Sequence, residues 1–214
     1  MPTSDARIRC DAHLETATAA LRERRFADAE AALVAAGDAA RDCAAADVRD
    51  PRPAVVSHQL GILRGAQSRF GDAVRSFEAA VAAWERAVGP DDPHVCASVN
   101  ALAQVHAMCD RPDRAIPLFE RALALWEKAR GPAHPVVATS LHNLATQYAA
   151  AGRHADAIPL FERALRIDEA TRGPEHPSLA DTLEAFAASL GALGKETAAL
   201  AVAERARSIR AAQD

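Results

Sequence analysis

The sequence predicts an all-α protein made of about five stacked helix pairs. About a quarter of its 214 residues are alanine, which has the highest intrinsic helix propensity, and only 4% are aromatic residues of the kind that favour strands. The segment Ala115–Leu123 also recurs letter for letter at Ala157–Leu165, which gives the chain a 42-residue period. Periods of about 20–50 residues are typical of solenoids and other arrays.

Glycine and proline divide the chain at the same period. Gly-Pro pairs begin at positions 89, 131 and 173, and prolines stand at 51, 93, 135 and 177. Because proline suits the first turn of a helix and glycine its end, these residues predict the borders of repeated units. One continuous solenoid domain is expected, with four units at 51–92, 93–134, 135–176 and 177–214, preceded by a degenerate helix pair at 1–50 that acts as a cap.

Each unit contains two predicted amphipathic helices. In the third unit Pro135 stands in the first helical turn and Gly152 ends the first helix, while the second helix runs from about His154 to Gly173. The apolar residues of both helices recur at helical spacing, so each helix has one face to bury. These residues are Leu141, Leu144, Ala145 and Tyr148, then Ala157, Phe161, Ala164 and Leu165.

Small and large side chains alternate where the helices must pack. Alanine recurs at 73, 115, 157 and 199 and at 80, 122, 164 and 206, and phenylalanine recurs at 77, 119 and 161. A methyl group lets two helix axes approach closely, and we expect phenylalanine to fill the space between pairs. A single helix pair cannot bury both of its faces, so neighbouring pairs must supply the core.

These residues resemble the tetratricopeptide repeat (TPR), a family of helix-turn-helix units. The 42-residue length and the joints Gly131–Pro135 and Gly173–Pro177 are similar to the kinesin-light-chain type of this repeat. The resemblance covers residues 51–214. It implies a right-handed α-α superhelix, a TPR solenoid, whose first helices line a concave groove that holds a peptide or helix of a partner protein.

A second, mostly uncharged stripe on the first helices is the candidate groove surface. An asparagine such as Asn143 offers a donor and an acceptor to a peptide backbone. The alternative is an ordinary solvated helix face. The candidate partner-binding residues are Val55, His58, Gln59, Ile62, Asn100, Gln104, Thr139, His142, Asn143, Thr146, Asp181 and Glu184.

The charge of this stripe predicts the kind of partner. It contains no lysine or arginine, and its acidic residues stand toward its two ends at Asp11, Glu15, Asp181 and Glu184. Some TPR proteins clamp a terminal carboxylate with basic groove residues. The matching positions here are His58, Asn100, His142 and Glu184. We therefore expect a neutral to basic partner segment, because a strongly acidic one would be repelled.

The leading functional interpretation is a non-enzymatic scaffold for protein–protein interaction. The alternative is a regulatory or sensor subunit of a separate catalytic protein, such as a protease or ATPase, by analogy with bacterial repeat proteins. No glycine-rich phosphate loop and no nucleophile elbow is present in the sequence, so no cofactor is expected. The net charge of −4 with mixed signs argues against nucleic-acid binding.

Several histidines, cysteines and tryptophans have two possible roles. A shared metal site is excluded for His94, Cys96, His106 and Cys109, because on one helix the two pairs lie roughly 15 Å apart. His134 and His176 are expected to form turn and cap hydrogen bonds. Trp84 and Trp126 are expected to pack between units, with a binding anchor as the alternative.

The sequence also predicts the compartment. No secretory signal follows Met1, and no apolar stretch reaches the roughly 18–20 residues that span a bilayer, so a soluble cytoplasmic protein is expected, with no membrane partner. The four cysteines are too sparse for a disulfide framework and are expected to be buried or idle thiols. One alternative stays open, which is that Cys10 and Cys43 approach each other.

Overall fold

The computed structural model describes residues 2–212, with side chains from residue 4 onward, and this part of the chain forms ten helices and no strand. The helices are α1 Pro2–Arg22, α2 Phe26–Ala46, α3 Arg52–Ala66, α4 Phe70–Val88, α5 Pro93–Met108, α6 Pro112–Arg130, α7 Pro135–Ala150, α8 His154–Arg172, α9 Ser178–Ala192 and α10 Glu196–Ala211. The prediction of an all-α protein with about five helix pairs is confirmed.

The helices belong to two compact units that divide between Cys109 and Asp110. Helices α1 to α5 form the first unit, in which α1 packs on α2, α2 on α3, α3 on α4, and α4 on α5. Helices α6 to α10 form the second unit, in which each helix likewise packs on the next. The expected repeat borders, the single solenoid domain and the role of residues 1–50 as a cap stay predictions.

Proline and glycine set several of the helix ends. Helices α5 and α7 begin with Pro93 and Pro135, where the missing N–H of proline needs no partner. Helices α4, α6 and α8 end before glycines with φ between +85° and +97° and ψ between 156° and 164°, a region that only glycine populates readily. The predicted borders of α7 and α8 are confirmed.

The turn inside each helix pair contains a residue in the left-handed conformation. At this position the structure has Arg24, Ser68, Asp110, Gly152 and Gly194, with φ between +53° and +74°. A non-glycine residue pays about 1–2 kcal/mol for this conformation. Three of the five turns are therefore strained relative to the two that contain glycine.

The core consists mainly of small side chains packed around aromatic rings. The repeated alanines at 73, 80, 115, 122, 157, 164 and 206 are at most 1% exposed, while Ala199 in α10 is partly exposed. Phe77, Phe119 and Phe161 are buried, as predicted. In α3 the close approach is tightest at Gly61, where a Cβ atom would lie 2.6–2.7 Å from three ring carbons of Phe77.

Arginines on the second helices connect successive pairs in the second unit. Arg163 of α8 lies 2.6 Å from Glu127 at the end of α6, and it donates to the carbonyl of Pro132 at 3.3 Å. Arg205 of α10 has the same geometry one repeat further along the chain. It lies 2.5 Å from Glu169 and donates to the carbonyl of Pro174 at 3.0 Å.

All four cysteines have free thiols, and Cys10 and Cys43 are both buried. The Cys10 thiol donates to the carbonyl of Ala36 at 3.4 Å. The pKa of the Cys10 thiol is raised to about 11, mainly by burial and to a smaller extent by the nearby Cys43. The helices that the structure describes include none long and apolar enough to cross a membrane.

Candidate functional site

The predicted stripe residues lie on the first helix of each helix pair. In the first unit α3 contains Val55, His58, Gln59 and Ile62, and α5 contains Asn100 and Gln104. In the second unit α7 contains Thr139, His142, Asn143 and Thr146, and α9 contains Asp181 and Glu184. In each unit a cavity is lined in part by the stripe residues of that unit.

The cavity of the first unit, which we call the Trp84 pocket, measures about 270 Å³. Its lining residues are Val55, His58, Gln59, Trp84, His94 and Ala97. The imidazole of His94 stacks on the indole of Trp84 with ring centroids 4.5 Å apart, and Asp92 holds His94 Nδ1 at 2.7 Å. The packing role predicted for Trp84 is confirmed, since the residue is buried. Its ring is at the same time a wall of the pocket.

The cavity of the second unit, which we call the Asp168 pocket, measures about 170 Å³. Its lining residues are Ala138, Thr139, His142, Asp168, Arg172, Ser178, Asp181 and Thr182. Asp168 of α8 is only 7% exposed. Its carboxylate accepts a long hydrogen bond of 3.4 Å from the Ser178 hydroxyl, and Arg172 Nε lies 3.5 Å from the other oxygen.

The two stripe histidines take part in contacts between first helices. His58 Nδ1 lies 2.9 Å from the Ser98 hydroxyl, and His142 Nδ1 lies 3.0 Å from the Thr182 hydroxyl. Burial lowers the pKa of both imidazoles, and His94 lowers that of His58 further. Each ring therefore has one nitrogen engaged inside the protein, and its burial favours the neutral form. In both pockets the histidine is part of a fixed wall.

Other predicted stripe residues also have internal partners. Gln59 Nε2 donates to the Thr18 hydroxyl at 3.1 Å, which ties α3 to α1. The Thr146 hydroxyl donates to the carbonyl of His142 at 2.9 Å, one turn earlier in the same helix. These groups are less available to a partner than the sequence pattern indicates.

The acidic ends of the stripe are largely balanced by arginine. Arg210 of α10 lies 2.7 Å from both Asp181 and Glu184, and this pairing lowers the pKa of Glu184. In the first unit Arg52 lies 2.7 Å from Asp11. The sequence pattern missed these arginines because they belong to other helices or stand at a helix start.

The stripe residues that stay available are polar amides and one aliphatic side chain. Within the part of the chain that the structure describes, no hydrogen bond engages the half-buried amides of Asn100 and Asn143. Gln104 is exposed, and Ile62 of α3 is 45% exposed although it is a large apolar residue. These side chains can contact a partner without breaking an internal contact.

Several pocket residues, among them Asp168 and Ser178, were not among the predicted site residues. Asp168 and Ser178 stand two repeat lengths after Trp84 and His94. A comparison of the sequence at that doubled offset would have shown polar residues replacing aromatic ones at the same positions. The cap roles predicted for His134 and His176 are confirmed, since their Nδ1 atoms accept from the N–H groups of Val136 at 3.1 Å and Ser178 at 3.2 Å.

Among residues 2–212 the structure groups no three His, Cys, Asp or Glu side chains in a way that could hold a metal ion. His94 in the Trp84 pocket is engaged by Asp92 and Trp84, as described above.

Two solved structures combine high fold similarity with moderate sequence identity. BtubC (BKLC) from P. vanneervenii superposes with a TM-score of 0.81 at 26% identity, over 92% of this chain and 78% of that chain. Nearly identical TPR-like repeats from Podosopora anserina, named for the kinesin light chain, superpose with a TM-score of 0.79 at 24% identity, over 100% of this chain and 98% of that one.

A third structure shares the fold at lower identity. YrrB, a TPR protein with an unusual peptide-binding site, has a TM-score of 0.65 at 18% identity, over 92% of this chain and 84% of that chain. Among curated proteins, none matches this chain.

Models of the tetratricopeptide repeat match most of the chain. One matches residues 94–170 and 137–212, and another matches residues 56–94. Together with the kinesin-light-chain-like structures, these matches confirm the resemblance drawn from the 42-residue period. The chain belongs to the tetratricopeptide repeat family.

Proposed function

We propose that this protein is a non-enzymatic scaffold that binds a peptide or helix of a partner protein along the stripe on its first helices. The TPR fold is a fold of protein–protein interaction scaffolds. The observation that carries the proposal is that, in each unit, stripe residues chosen from the sequence line a cavity: Val55, His58 and Gln59 in one, and Thr139, His142 and Asp181 in the other.

The available amides support recognition of a peptide backbone. Each amide of Asn100 and Asn143 offers both a donor and an acceptor, and an extended peptide presents the same groups in return. Such bonds contribute about 0.5–1.5 kcal/mol each, so several must act together with side-chain burial to give a stable complex.

The charge balance favours a neutral to basic partner segment. The stripe itself contains no lysine or arginine, but Arg210 and Arg52 compensate much of the acidic charge at its ends. We therefore expect a preference that rests mainly on neutral contacts, with a smaller contribution from attraction to basic residues. A strongly acidic segment gains nothing from such a surface.

Affinity capture tests this function directly. The wild-type chain and an Asn100→Ala/Asn143→Ala double variant are immobilised, and the proteins that each retains from an extract of the native cells are identified. The matched control is a Glu78→Ala/Glu162→Ala double variant, which changes two exposed residues on second helices. Partners retained by the control and lost from the asparagine variant support the proposal.

Two results would count against this function. Equal retention by all three proteins would place the binding surface elsewhere. Capture of a partner with its own catalytic motifs, whose activity changes when this chain is added, would favour a regulatory subunit.

A further inference from the structure

The Trp84 pocket and the Asp168 pocket are built from the same repeat positions. Five lining positions correspond at an offset of two repeat lengths, and at four of them an aromatic, aliphatic or imidazole group is replaced by a hydroxyl or carboxylate. The pairs are Val55 and Thr139, His58 and His142, Trp84 and Asp168, His94 and Ser178, and Ala97 and Asp181.

One wall is built in the same way in both pockets. His58 and His142 each bond a hydroxyl of the next first helix, and each packs edge-on against the phenylalanine of its own helix pair, with ring centroids 5.3 Å and 6.0 Å apart. The frame is therefore kept while the chemistry of the opposite wall changes.

The Trp84 pocket is suited to an apolar side chain. None of its six lining residues is a carboxylate or guanidinium, and the Gln59 amide already donates to Thr18. One face of the Trp84 indole is covered by His94, so that face is closed to a cation. A charged side chain would lose hydration here without gaining a counter-charge, which is unfavourable.

The Asp168 pocket is suited to a cationic side chain. A carboxylate can accept about four hydrogen bonds, but within the described residues Asp168 accepts only the 3.4 Å bond from Ser178. One of its oxygens is buried without any hydrogen bond, and Arg172, which also lines the pocket, forms only a long ion pair of 3.5 Å with that oxygen. Asp181 is already held by Arg210, so Asp168 is the carboxylate with unmet capacity. An apolar occupant would remove the remaining water from Asp168 without supplying a hydrogen bond or a counter-charge.

We infer that the two pockets select different side chains of the partner, an apolar one in the Trp84 pocket and a lysine or arginine in the Asp168 pocket. This inference rests on the proposed peptide-binding function and adds its specificity. The repeat position that holds Trp84 in one pocket and Asp168 in the other is the main determinant of this selectivity. At this position a large apolar ring in the first pocket is replaced by a buried anion in the second. Each pocket excludes the side chain that the other accepts, which is how binding specificity is commonly built.

Peptide selection on the whole chain tests the inference. A phage-displayed library of random dodecapeptides is selected on wild type, on Asp168→Asn and on Ala97→Asp, which places a carboxylate at the exposed edge of the Trp84 pocket. Wild type should enrich peptides that contain a large apolar residue and peptides that contain a lysine or arginine. Asp168→Asn should lose the basic residue and keep the apolar one, and Ala97→Asp should do the reverse.

A synthetic copy of one selected peptide that contains a lysine makes the test quantitative. It should bind Asp168→Asn about 10- to 100-fold more weakly than wild type, the range expected for a hydrogen-bonded charge. Replacing its lysine with norleucine should remove that difference. Glu162→Gln and Ala79→Asp are matched controls, since they make the same chemical changes at exposed positions of α8 and α4.

The outcomes separate the two proposals. If peptides are selected but neither pocket variant alters their composition, the specificity inference is wrong and the binding function stands. If no peptide is enriched on the wild-type chain, the proposed binding function itself is overturned.

Discussion

Replacing Gly61 with alanine should destabilise the first unit, although alanine is the better helix former. A Cβ atom at this position would lie 2.6–2.7 Å from the Phe77 ring, whereas carbon atoms in contact prefer about 3.5–4.0 Å. The ring must therefore move by roughly 1 Å. Phe77 is buried, and its edge contact with His58 blocks one direction of that movement.

Gly65, four residues later in the same helix, is the matched control. A Cβ atom there would meet nothing within 4 Å. Gly65→Ala should therefore show the helix-propensity gain alone, up to about 1 kcal/mol. Gly61→Ala has the same gain but adds an overpacking cost of about 1–3 kcal/mol. The difference between the two variants removes propensity from the comparison and should equal that cost.

Urea denaturation followed by circular dichroism measures both free energies of unfolding. The amide and imidazole NMR signals of His58 provide a second readout, because the displaced ring should disturb its bond to Ser98. Equal stabilisation by Gly61→Ala and Gly65→Ala would refute the reasoning, since it would mean that Phe77 moves aside without cost. The longer His142–Phe161 distance in the second unit, where Ala145 replaces this glycine, agrees with the expected direction.

Three further predictions concern packing, turns and pH. Ala164→Leu should lower the free energy of unfolding by about 1–3 kcal/mol, because a buried alanine at 1% exposure leaves no room for a larger side chain; an unchanged thermal midpoint would contradict this packing. Ser68→Gly should stabilise the chain and Gly152→Ala destabilise it, each by about 1 kcal/mol, because both residues have positive φ; calorimetry showing the opposite signs would exclude turn strain as the cause. Burial lowers the pKa of His58 and His142, so the unfolded chain binds protons that the folded chain resists, and stability should fall as the pH drops below the ordinary histidine value of about 6.5. Denaturation at pH 7.5 and 5.5 checks this, and a double glutamine variant at both histidines should show a smaller fall.

The fold was predictable because its signals are local. Pro135 and Gly173 stand where helices begin and end, since their backbone restrictions act within one turn. The exact recurrence of Ala115–Leu123 at Ala157–Leu165 indicates stacked, equivalent helix pairs without any knowledge of distant contacts. Ala157 and Phe161 are buried as their helical spacing predicts.

The candidate site was only partly predictable. The stripe on the first helices includes residues that line both pockets, but it also includes His58 and Gln59, whose partners Ser98 and Thr18 belong to other helix pairs, far away in sequence. Asp168 is absent from the stripe because it belongs to a second helix. The periodicity of that helix does not show which of its faces meets solvent and which meets a partner.

Local backbone preference and the 42-residue recurrence are enough to predict an array of paired helices, and the repeated residues resemble the TPR family, to which the family models assign the chain. Packing between helices that are far apart in sequence decided which stripe residues are engaged and which are open, and it placed Trp84 and Asp168 at corresponding walls of two pockets. Helical periodicity predicts which residues share a face of a helix. The neighbour that covers each face is set by the sum of many contacts between helices, and the three-dimensional arrangement alone reveals it.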